Sequence, residues 1–466
     1  MAGERQETEL LVVGAGPGGY AAAIKAAQNG VETTLADRDA VGGTCLNYGC
    51  IPSKALLTAT GRLEAMRNAE RMGIQATASA DTEAMVAWKD EVVDGLTNGI
   101  GGLCRANGVS IREGHVTFVD ETTGIIDGPD GERELSFDAA IVATGSRPIT
   151  VPNFEFDGER ILDSRGMLSV SEVPDRLLVI GAGYIGMELS TVFARLGADV
   201  TVIEMLDEAL AAYDDDLSRP VVKQLRSLGV SFRFGEAALD WRENGDDITV
   251  FTETEGGEMN EYQGDRALVA VGRAPVTDGL GLDALGLSTT ERGFIETDER
   301  GATDVANVYA VGDVAGEPML AHKATHEGLV AAETIAGMDT ATAEQPVPAV
   351  VFTDPEIGTV GRTEQEAIDA GYNPVVGEFP FTASGRALTR NATDGFVRLV
   401  GDAATGEILG CQMVGEEVAE LLGEVGVAMR GGLTLDELAG TVHAHPTLSE
   451  AVMEAAADAL DEAVHI

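Results

Sequence analysis

The most regular pattern in the chain is a short apolar run that ends in glycines and continues as an alanine-rich stretch. Residues 9–24, ELLVVGAGPGGYAAAI, show it first. The apolar run has the length of a strand buried on both faces, and the alanines favour a helix. Residues 31–36 predict the next strand, which ends at Asp37. The pattern predicts a unit of strand, glycine turn, helix and strand.

This unit occurs again later in the chain. Residues 176–190, RLLVIGAGYIGMELS, predict a second strand, glycine turn and helix, and residues 199–204 predict the strand after them. The two copies lie too far apart for a solenoid, whose repeats are about 20–50 residues long. A similar closing segment follows each copy, AAIVATGSRP at 139–148 and RALVAVGRAP at 266–275. We therefore expect two nucleotide-binding domains of the α/β class.

The last part of the chain follows a different pattern. Residues 344–355 contain three prolines and predict a linker. Beyond it, residues 396–400 and 407–414 predict strands, and residues 417–429 predict a helix. These elements indicate a separate C-terminal domain.

The first glycine turn is suited to binding a dinucleotide. In Gly14-x-Gly16-x-x-Gly19 the first glycine permits the tight turn, the second lets the backbone approach a pyrophosphate, and the third lets the helix pack on the strand. The start of the helix offers free N–H groups and a positive dipole to phosphate. Asp37, at the end of the next strand, can accept hydrogen bonds from a ribose.

The second turn repeats this motif as Gly181-x-Gly183-x-x-Gly186, with Glu204 in the position of the acid. A carboxylate there accepts a hydrogen bond from a free 2′-hydroxyl and repels a 2′-phosphate. Residues 205–208 contain no arginine that could bind a 2′-phosphate. We therefore expect the second unit to bind NAD rather than NADP.

The net charge of the chain is strongly negative. It has 31 lysines and arginines against 78 aspartates and glutamates, for a net charge of −47. Such a field repels nucleic acid, so we expect no nucleic-acid partner.

No uncharged apolar run reaches the roughly 18 residues of a membrane span. Residues 1–9 lack the basic start of a secretory signal. We expect a cytoplasmic protein without a membrane partner.

The acidic residues are dispersed along the chain rather than gathered in a tail, and lysine is nearly absent. This distribution favours adaptation to a concentrated-salt cytoplasm over an ordinary acidic protein, because salt screens the repulsion between the carboxylates.

The free energy of unfolding is expected to fall when salt is removed. The screening length is about 3 Å at 1 M salt and about 10 Å at 0.1 M, so more carboxylate pairs repel each other in dilute salt. Denaturant melts in molar and in 0.1 M KCl measure the effect. A denaturation midpoint that does not change with KCl would contradict the adaptation.

Two of the four cysteines are placed for chemistry. Cys104 and Cys411 lie in apolar surroundings typical of a core. Cys45 and Cys50 lie in the segment GGTCLNYGCIPSK, without further cysteines or histidines that could complete a zinc site, so we expect no metal. In a regular helix their Cα atoms would be about 8.7 Å apart. This distance exceeds the Cα–Cα separation of about 7 Å that a disulfide can bridge. A bridge therefore needs a distorted helix start, which Gly49 permits.

That segment resembles the redox-active disulfide signature of the flavin-dependent pyridine nucleotide–disulfide oxidoreductases, and the two glycine motifs occur in the order of that family. AVGD at 310–313 resembles its second flavin motif, in which Asp313 would bind the ribityl chain. LAHKA at 320–324 resembles the segment under the flavin ring, and residues 346–361 resemble the start of the dimerisation domain. The resemblance covers essentially the whole chain.

The C-terminal segment TVHAHPTLSE, residues 441–450, resembles the catalytic His-Pro…Glu segment of the family, in the form of the members that oxidise dihydrolipoamide. The resemblance makes His445 the general base and Glu450 the carboxylate that orients it. An imidazole titrates in the range that deprotonation of a dithiol requires. The resemblance also implies that His445 comes from the other subunit, so that the active site needs a homodimer. The remaining histidines considered are interpreted as structural: His115, His326 and His443.

The resemblance implies an α/β fold with two Rossmann-like dinucleotide-binding domains and a C-terminal α+β dimerisation domain. The FAD-binding domain would consist of two parts, residues 1–150 and 276–343. The NAD-binding domain would occupy residues 151–275, and the dimerisation domain residues 344–466.

The resemblance also implies the reaction and its cofactors, FAD and NAD. The substrate would be dihydrolipoamide, free or on a lipoyl-bearing protein, with a 2-oxoacid dehydrogenase complex as the candidate assembly. Electrons would pass through Cys45, the interchange sulfur, and Cys50 to FAD and then to NAD. Lys54 and Glu188 correspond to an ion pair near the reactive end of the flavin. The implied FAD-binding residues are Gly14, Gly16, Gly19, Asp37, Gly43, Thr44, Lys54, Val116, Thr144, Gly145, Asp313 and Ala321. The implied NAD-binding residues are Gly181, Gly183, Gly186, Glu188, Glu204 and Gly272.

Three positions depart from the usual family pattern. Asp37 stands where glutamate is more common, Tyr48 where a small aliphatic residue is usual, and Phe352 where tyrosine is frequent. None of these departures removes a catalytic group.

Two other functions are weighed against this one. A glutathione-type reductase would need NADP-binding arginines after Glu204, and a mercuric-type reductase would need a C-terminal cysteine pair, whereas Cys411 is the last cysteine. A non-catalytic module that senses flavin or NAD is the alternative from a different class. The combination of Cys45, Cys50 and His445 argues against such a module.

Overall fold

The structure, a computed structural model, describes residues 6–341 and 346–466. Its first part contains the predicted strand, glycine turn and helix, then three further helices and a group of strands. The elements of this part are β1 (Gln6–Val13), α1 (Pro17–Gln28), β2 (Thr33–Asp37), α2 (Gly43–Tyr48), α3 (Cys50–Arg67), α4 (Thr82–Ala106), β3 (Ser110–Glu113), β4 (His115–Asp120), β5 (Thr123–Gly128), β6 (Gly131–Val142) and β7 (Ser146–Pro148).

The first sheet has a parallel core and an antiparallel extension. Its order is β3-β2-β1-β6-β5-β4, parallel from β3 to β6 and antiparallel from β6 to β4. On one face, Leu10 and Val12 of β1 pack in the same core as Ala22 of α1. On the other face, Leu11 packs in the core that contains Phe118. Both faces of β1 are covered, which explains why its residues are apolar in succession instead of alternating.

The second part repeats the arrangement with a separate parallel sheet of order β11-β10-β9-β15-β8. An antiparallel ribbon, β12-β13-β14, accompanies it, and β16 pairs with β7 of the first part. The elements are β8 (Ile161–Leu162), α5 (Ser164–Leu168), β9 (Arg176–Ile180), α6 (Tyr184–Leu196), β10 (Asp199–Glu204), α7 (Asp215–Ser227), β11 (Ser231–Phe234), β12 (Glu236–Asn244), β13 (Asp247–Thr254), β14 (Met259–Gly264), β15 (Arg266–Val269) and β16 (Arg273–Pro275).

The chain then returns to the first sheet. The elements of this part are α8 (Leu282–Leu285), β17 (Val308–Ala310) and α9 (Ala321–Ile335). β17 pairs in parallel with β6, and α9 packs along α1. The segment between the second sheet and the C-terminal part therefore completes the first unit.

The C-terminal part is built on an antiparallel sheet of order β18-β19-β22-β21-β20. The strands predicted at 396–400 and 407–414 and the helix predicted at 417–429 are confirmed as β21, β22 and α12, with ends that differ by one or two residues. The predicted boundary between residues 343 and 344 lies outside the described residues. The elements are β18 (Ala349–Val351), β19 (Glu356–Gly361), α10 (Glu364–Asp369), β20 (Pro374–Pro380), α11 (Gly385–Arg390), β21 (Phe396–Asp402), β22 (Ile408–Gly415), α12 (Val418–Gly431), α13 (Leu435–Ala439) and α14 (Glu450–Asp458).

Candidate active site

Both glycine turns have the close backbone packing that the motif predicts. Gly14 has a φ of +103°, and a Cβ atom there would lie 2.2 Å from the carbonyl oxygen of Ala143. Gly181 has a φ of +104°, and its Cβ atom would lie 2.6 Å from the carbonyl oxygen of Ala270. A Cβ atom at Gly16, in contrast, would meet nothing within 4 Å. The backbone at the start of α1 therefore faces open space, as the pyrophosphate of a dinucleotide requires.

The acids at the ends of β2 and β10 are both held by their glycine turns. The N–H of Ala15 donates to Asp37 Oδ2 at 2.5 Å, and the N–H of Ala182 donates to Glu204 Oε2 at 2.7 Å. Burial raises the pKa of the Asp37 carboxyl above its usual value. The shorter side chain of Asp37 still reaches its turn as Glu204 does, so the departure from glutamate preserves this contact.

Cys45 and Cys50 lie on two helices that meet at a break. α2 ends at Tyr48, α3 begins at Cys50, and Gly49 between them has a φ of −136° and a ψ of −102°, outside the helical region. The two thiols are close enough for Cys45 to act as a hydrogen-bond donor to Cys50, and both cysteines are free. The structure thus has the distorted helix start that the spacing of the cysteines demands.

The two thiols differ in acidity. The hydrogen bond from Cys45 lowers the pKa of Cys50 to about 7, against the effect of burial, and the positive charge of Lys54 contributes in the same direction. The same hydrogen bond, together with burial, raises the pKa of Cys45. Cys50 is therefore the sulfur that carries the thiolate, and Cys45 donates a hydrogen bond to it.

We expect the Cys50 thiolate of the reduced protein to form with a midpoint near pH 7. A lowered pKa means that the thiolate is present above this pH and is lost below it. Lys54→Met removes the neighbouring positive charge and should raise the midpoint by about one pH unit or more. The ultraviolet absorbance of the thiolate measures the titration, with Cys50→Ser as the blank. Lys25→Met, at the surface pair of Lys25 with Glu333, is the control and should leave the midpoint in place.

Three distant parts of the chain meet at Lys54. Its ammonium lies 2.7 Å from Glu188 Oε2 and 4.6 Å from the centre of the Phe352 ring. The N–H of Phe352 donates to Glu188 Oε1 at 3.0 Å. The side chain of Glu188 is 4% exposed, so its charge requires these two partners. The ion pair expected of Lys54 and Glu188 is present, and the contact from Phe352 comes from its backbone, which tyrosine would supply equally.

Tyr48, between the cysteines, faces the rim of the site. Its hydroxyl donates to Asp39 Oδ1 at 2.8 Å, and the guanidinium of Arg165 lies 3.5 Å from the centre of its ring. The tyrosine therefore links α2 to α5 and leaves the two sulfur atoms free to meet.

The cavity residues that sequence reasoning misses include Ser146, Tyr184 and Arg273. The hydroxyl of Ser146 donates to Asp313 Oδ2 at 2.5 Å, and Arg273 donates to Ser146. Burial raises the pKa of Tyr184 to about 12, so its phenol is protonated at neutral pH. The similarity between ATGSRP and VGRAP is the sequence signal that could have identified Ser146 and Arg273.

One cavity brings together residues of both nucleotide-binding units. The predicted site residues that line it are Gly14, Gly16, Asp37, Gly43, Thr44, Cys45, Cys50, Lys54, Thr144, Gly145, Glu188, Asp313 and Ala321. The predicted site residues outside its lining are Gly19, Val116, Gly181, Gly183, Gly186, Glu204, Gly272, His445 and Glu450. Gly19 packs against Gly14, and the side chain of Val116 is buried in the core of the first sheet.

His445 and Glu450 form a pair outside the cavity of their own chain. His445 Nδ1 lies 2.8 Å from Glu450 Oε1, and the N–H of Thr447 donates to Glu450 Oε2 at 2.7 Å. The carboxylate is thus held from two sides, while the imidazole is 79% exposed. His443, 2.6 Å from Glu424 Oε1, has an almost fully buried side chain. An oriented and exposed imidazole is available to a second subunit.

Known families match both halves of this architecture. Residues 8–328 match the family described as pyridine nucleotide-disulphide oxidoreductase, and residues 347–456 match the dimerisation domain of that family. The chain belongs to the pyridine nucleotide-disulphide oxidoreductase family. Membership of this family confirms the predicted fold class, the cofactors FAD and NAD, and the homodimer.

Members of the family from several organisms are similar to this chain over nearly its full length. It is 55% identical over 462 residues to a dihydrolipoyl dehydrogenase from Haloferax volcanii, which covers 98% of this chain and 97% of the relative. It is 54% identical over 461 residues to a dihydrolipoyl dehydrogenase from Halobacterium salinarum, with the same coverage. A dihydrolipoyl dehydrogenase from Geobacillus stearothermophilus is 46% identical over 461 residues, covering 99% of this chain and 98% of the relative. The resemblance to proteins of halophiles is confirmed.

Solved structures of the family share the fold. The crystal structure of LpdA from Mycobacterium tuberculosis has a TM-score of 0.90 and 28% identity, and the match covers 96% of this chain and 99% of that one. The HOCl-induced flavoprotein disulfide reductase RclA from Escherichia coli has a TM-score of 0.85 and 25% identity, with the same coverage. Across the two described stretches of this chain, none of the helices combines the length and apolarity needed to cross a membrane.

Proposed function

We propose that this member of the pyridine nucleotide-disulphide oxidoreductase family has NAD-dependent dihydrolipoyl dehydrogenase activity: it oxidises dihydrolipoamide to lipoamide and reduces NAD to NADH. The observation that carries the proposal is the hydrogen-bonded pair of Cys45 and Cys50 in a cavity to which both nucleotide-binding units contribute. The names of the haloarchaeal relatives and the form of the TVHAHPTLSE segment support the choice of dithiol.

The residues of the cavity fit FAD. The open backbone at Gly16 suits the pyrophosphate, Asp37 suits the adenosine ribose, and Asp313 suits the ribityl chain. Lys54 lies beside the cysteines, where the reactive end of the flavin would bind. When bound, FAD supplies the two-electron carrier that links the cysteine pair to NAD.

The dithiol step is a thiol–disulfide exchange at Cys45. In the oxidised protein Cys45 and Cys50 share a disulfide, and His445 of the partner subunit takes a proton from one thiol of dihydrolipoamide. The resulting thiolate attacks Cys45 Sγ, which breaks the bond to Cys50 and leaves Cys50 as a thiolate beside Lys54. The second substrate thiol then attacks the substrate sulfur bonded to Cys45, and its proton passes to the Cys45 sulfur that leaves. Lipoamide departs with its own disulfide, and the cysteine pair keeps both electrons.

The second unit is assigned to NAD. Its glycine turn starts α6, and the first residue of that helix, Tyr184, lines the same cavity as the cysteines. Glu204, held by the N–H of Ala182, is the carboxylate that would accept a hydrogen bond from the 2′-hydroxyl and repel a 2′-phosphate. The remaining residues assigned to NAD are Gly181, Gly183, Gly186, Glu188 and Gly272.

We also propose a division of the chain into domains, a cellular location and a substrate. The FAD-binding domain comprises residues 1–150 and 276–343, a division supported by the pairing of β17 with β6. Residues 151–275 form the NAD-binding domain and residues 344–466 the dimerisation domain. We place the enzyme in the cytoplasm, acting on dihydrolipoamide or a lipoyl-bearing protein. Reduced cysteines in the core, Cys104 and Cys411, suit that compartment.

The proposal is tested with the purified holoenzyme in molar KCl. The protein should be yellow, turn red on partial reduction by dihydrolipoamide, and be reoxidised by NAD. NADH should form from dihydrolipoamide and NAD at a rate far above that of NADPH formation from NADP. Turnover only with glutathione disulfide and NADPH would identify a glutathione-type reductase instead. A flavin-bound protein without any turnover would identify a sensing module.

A further inference from the structure

A chain of side-chain hydrogen bonds connects the end of the second nucleotide-binding unit to Asp313. Arg273 Nε donates to Ser146 Oγ at 2.7 Å, and Arg273 Nη2 donates to the carbonyl oxygen of Ser146 at 2.7 Å. Ser146 Oγ donates to Asp313 Oδ2 at 2.5 Å. All three residues line the cavity that contains the cysteine pair.

The direction of these hydrogen bonds is fixed by the chemistry of the groups. A guanidinium can only donate, so the single hydroxyl hydrogen of Ser146 is left for the carboxylate of Asp313. Arg273 holds Ser146 by two donors of its planar fork, which restricts the serine more than one contact would. The strands β7 and β16, paired in an antiparallel register, place Ser146 and Arg273 on facing strands.

We propose that Arg273 is a positioning residue for FAD, because it orients the carboxylate of Asp313 through Ser146. This inference rests on the proposed function, in which Asp313 binds the ribityl chain. A carboxylate held in one orientation before binding loses less conformational freedom when the cofactor arrives. Arg273 closes the NAD-binding unit, so a residue of one unit prepares the cofactor site of the other.

The test measures FAD binding in a double-mutant cycle. Ser146→Ala and Arg273→Met should each raise the dissociation constant of FAD by about 10- to 100-fold, the range for one hydrogen bond to a charged group. The double variant should bind FAD about as weakly as either single variant, because both changes break the same connection. Flavin fluorescence after dilution of the holoenzyme measures the constant without any substrate.

Two further variants distinguish the positioning role of Arg273 from the effect of its charge and from a nonspecific effect of removing an arginine. Arg273→Lys keeps the charge but lacks the planar fork that reaches both Ser146 Oγ and its carbonyl oxygen, so it should bind FAD several-fold more weakly than the wild type. Arg292→Met removes an exposed arginine that pairs with Glu317 at 2.8 Å, and it should leave the dissociation constant unchanged. The melting temperature of the flavin-free protein should be the same for wild type and Ser146→Ala.

Three results would overturn the inference. The first is a folded Ser146→Ala protein that binds FAD with the wild-type dissociation constant, and the second is an Arg273→Lys protein that does so. The third is a double variant in which the fold-increases of the dissociation constant from the two single variants multiply. These results leave the proposed function intact if the wild type binds FAD and oxidises dihydrolipoamide. A wild-type protein that retains FAD but does not turn over contradicts the proposed function alone.

Discussion

Replacing Cys45 or Cys50 with serine should abolish the reduction of NAD by dihydrolipoamide and leave FAD bound. Serine cannot form the disulfide that the substrate thiolate attacks. Either change therefore removes the exchange step entirely. The residues proposed to hold FAD are unchanged in both variants, because the glycine turn, Asp37 and Asp313 lie elsewhere in the cavity. NADH formation and the visible spectrum of the purified variants are the two measurements.

Cys104→Ala is the matched control for these variants. Cys104 lies in the core between the first sheet and its helices, with none of its surface exposed, and is free. Its removal should leave dithiol oxidation active, although the small cavity costs about 1 kcal/mol of stability. Full activity in Cys45→Ser or in Cys50→Ser would contradict the exchange mechanism.

The sequence predicts the parts of the site that local backbone chemistry determines. The glycine turns follow from motifs that need close backbone approach, and a Cβ atom at Gly14 would indeed collide with Ala143. The helix break at Gly49 also follows from the sequence, since two cysteines five positions apart cannot meet on a regular helix. The constraint on the cysteines lies within the few residues between them. The motif identifies the glycines that need close backbone approach, although the backbone that Gly14 approaches, at Ala143, is distant in the chain.

The contacts that sequence reasoning misses depend on residues far apart in the chain. Phe352 donates its N–H to Glu188, and Ser146 joins Arg273 to Asp313. These residues are more than a hundred positions apart in the chain, and only the fold brings them together. The unequal acidity of the two thiols also requires the fold, because it depends on the hydrogen bond between them. A motif identifies which groups react, and tertiary packing decides which of them is charged.

His445→Gln should slow the dithiol half-reaction by about 10²- to 10⁴-fold, the usual effect of losing a general base. Glutamine retains a hydrogen bond to Glu450 but has no group that takes a proton from a thiol. Reduction of the flavin by dihydrolipoamide, followed in a stopped-flow experiment, measures the half-reaction. Reduction by NADH should proceed at the wild-type rate. His115→Gln, at an exposed contact with the carbonyl oxygen of Gly279, is the control.

The proposed sharing of the active site between two subunits gives a second test of His445, because the two variant proteins should complement each other. In a heterodimer of the His445→Gln and Cys45→Ser chains, one site combines an intact cysteine pair with His445 of the partner subunit, and the other site carries both changes. Each heterodimer that forms by subunit exchange should therefore recover up to half of the activity of a wild-type dimer, while the homodimers that form again stay inactive. If His445 instead served the cysteines of its own chain, each site of the heterodimer would contain one change, and mixing would restore nothing. The exposed position of His445 outside its own cavity favours the first outcome.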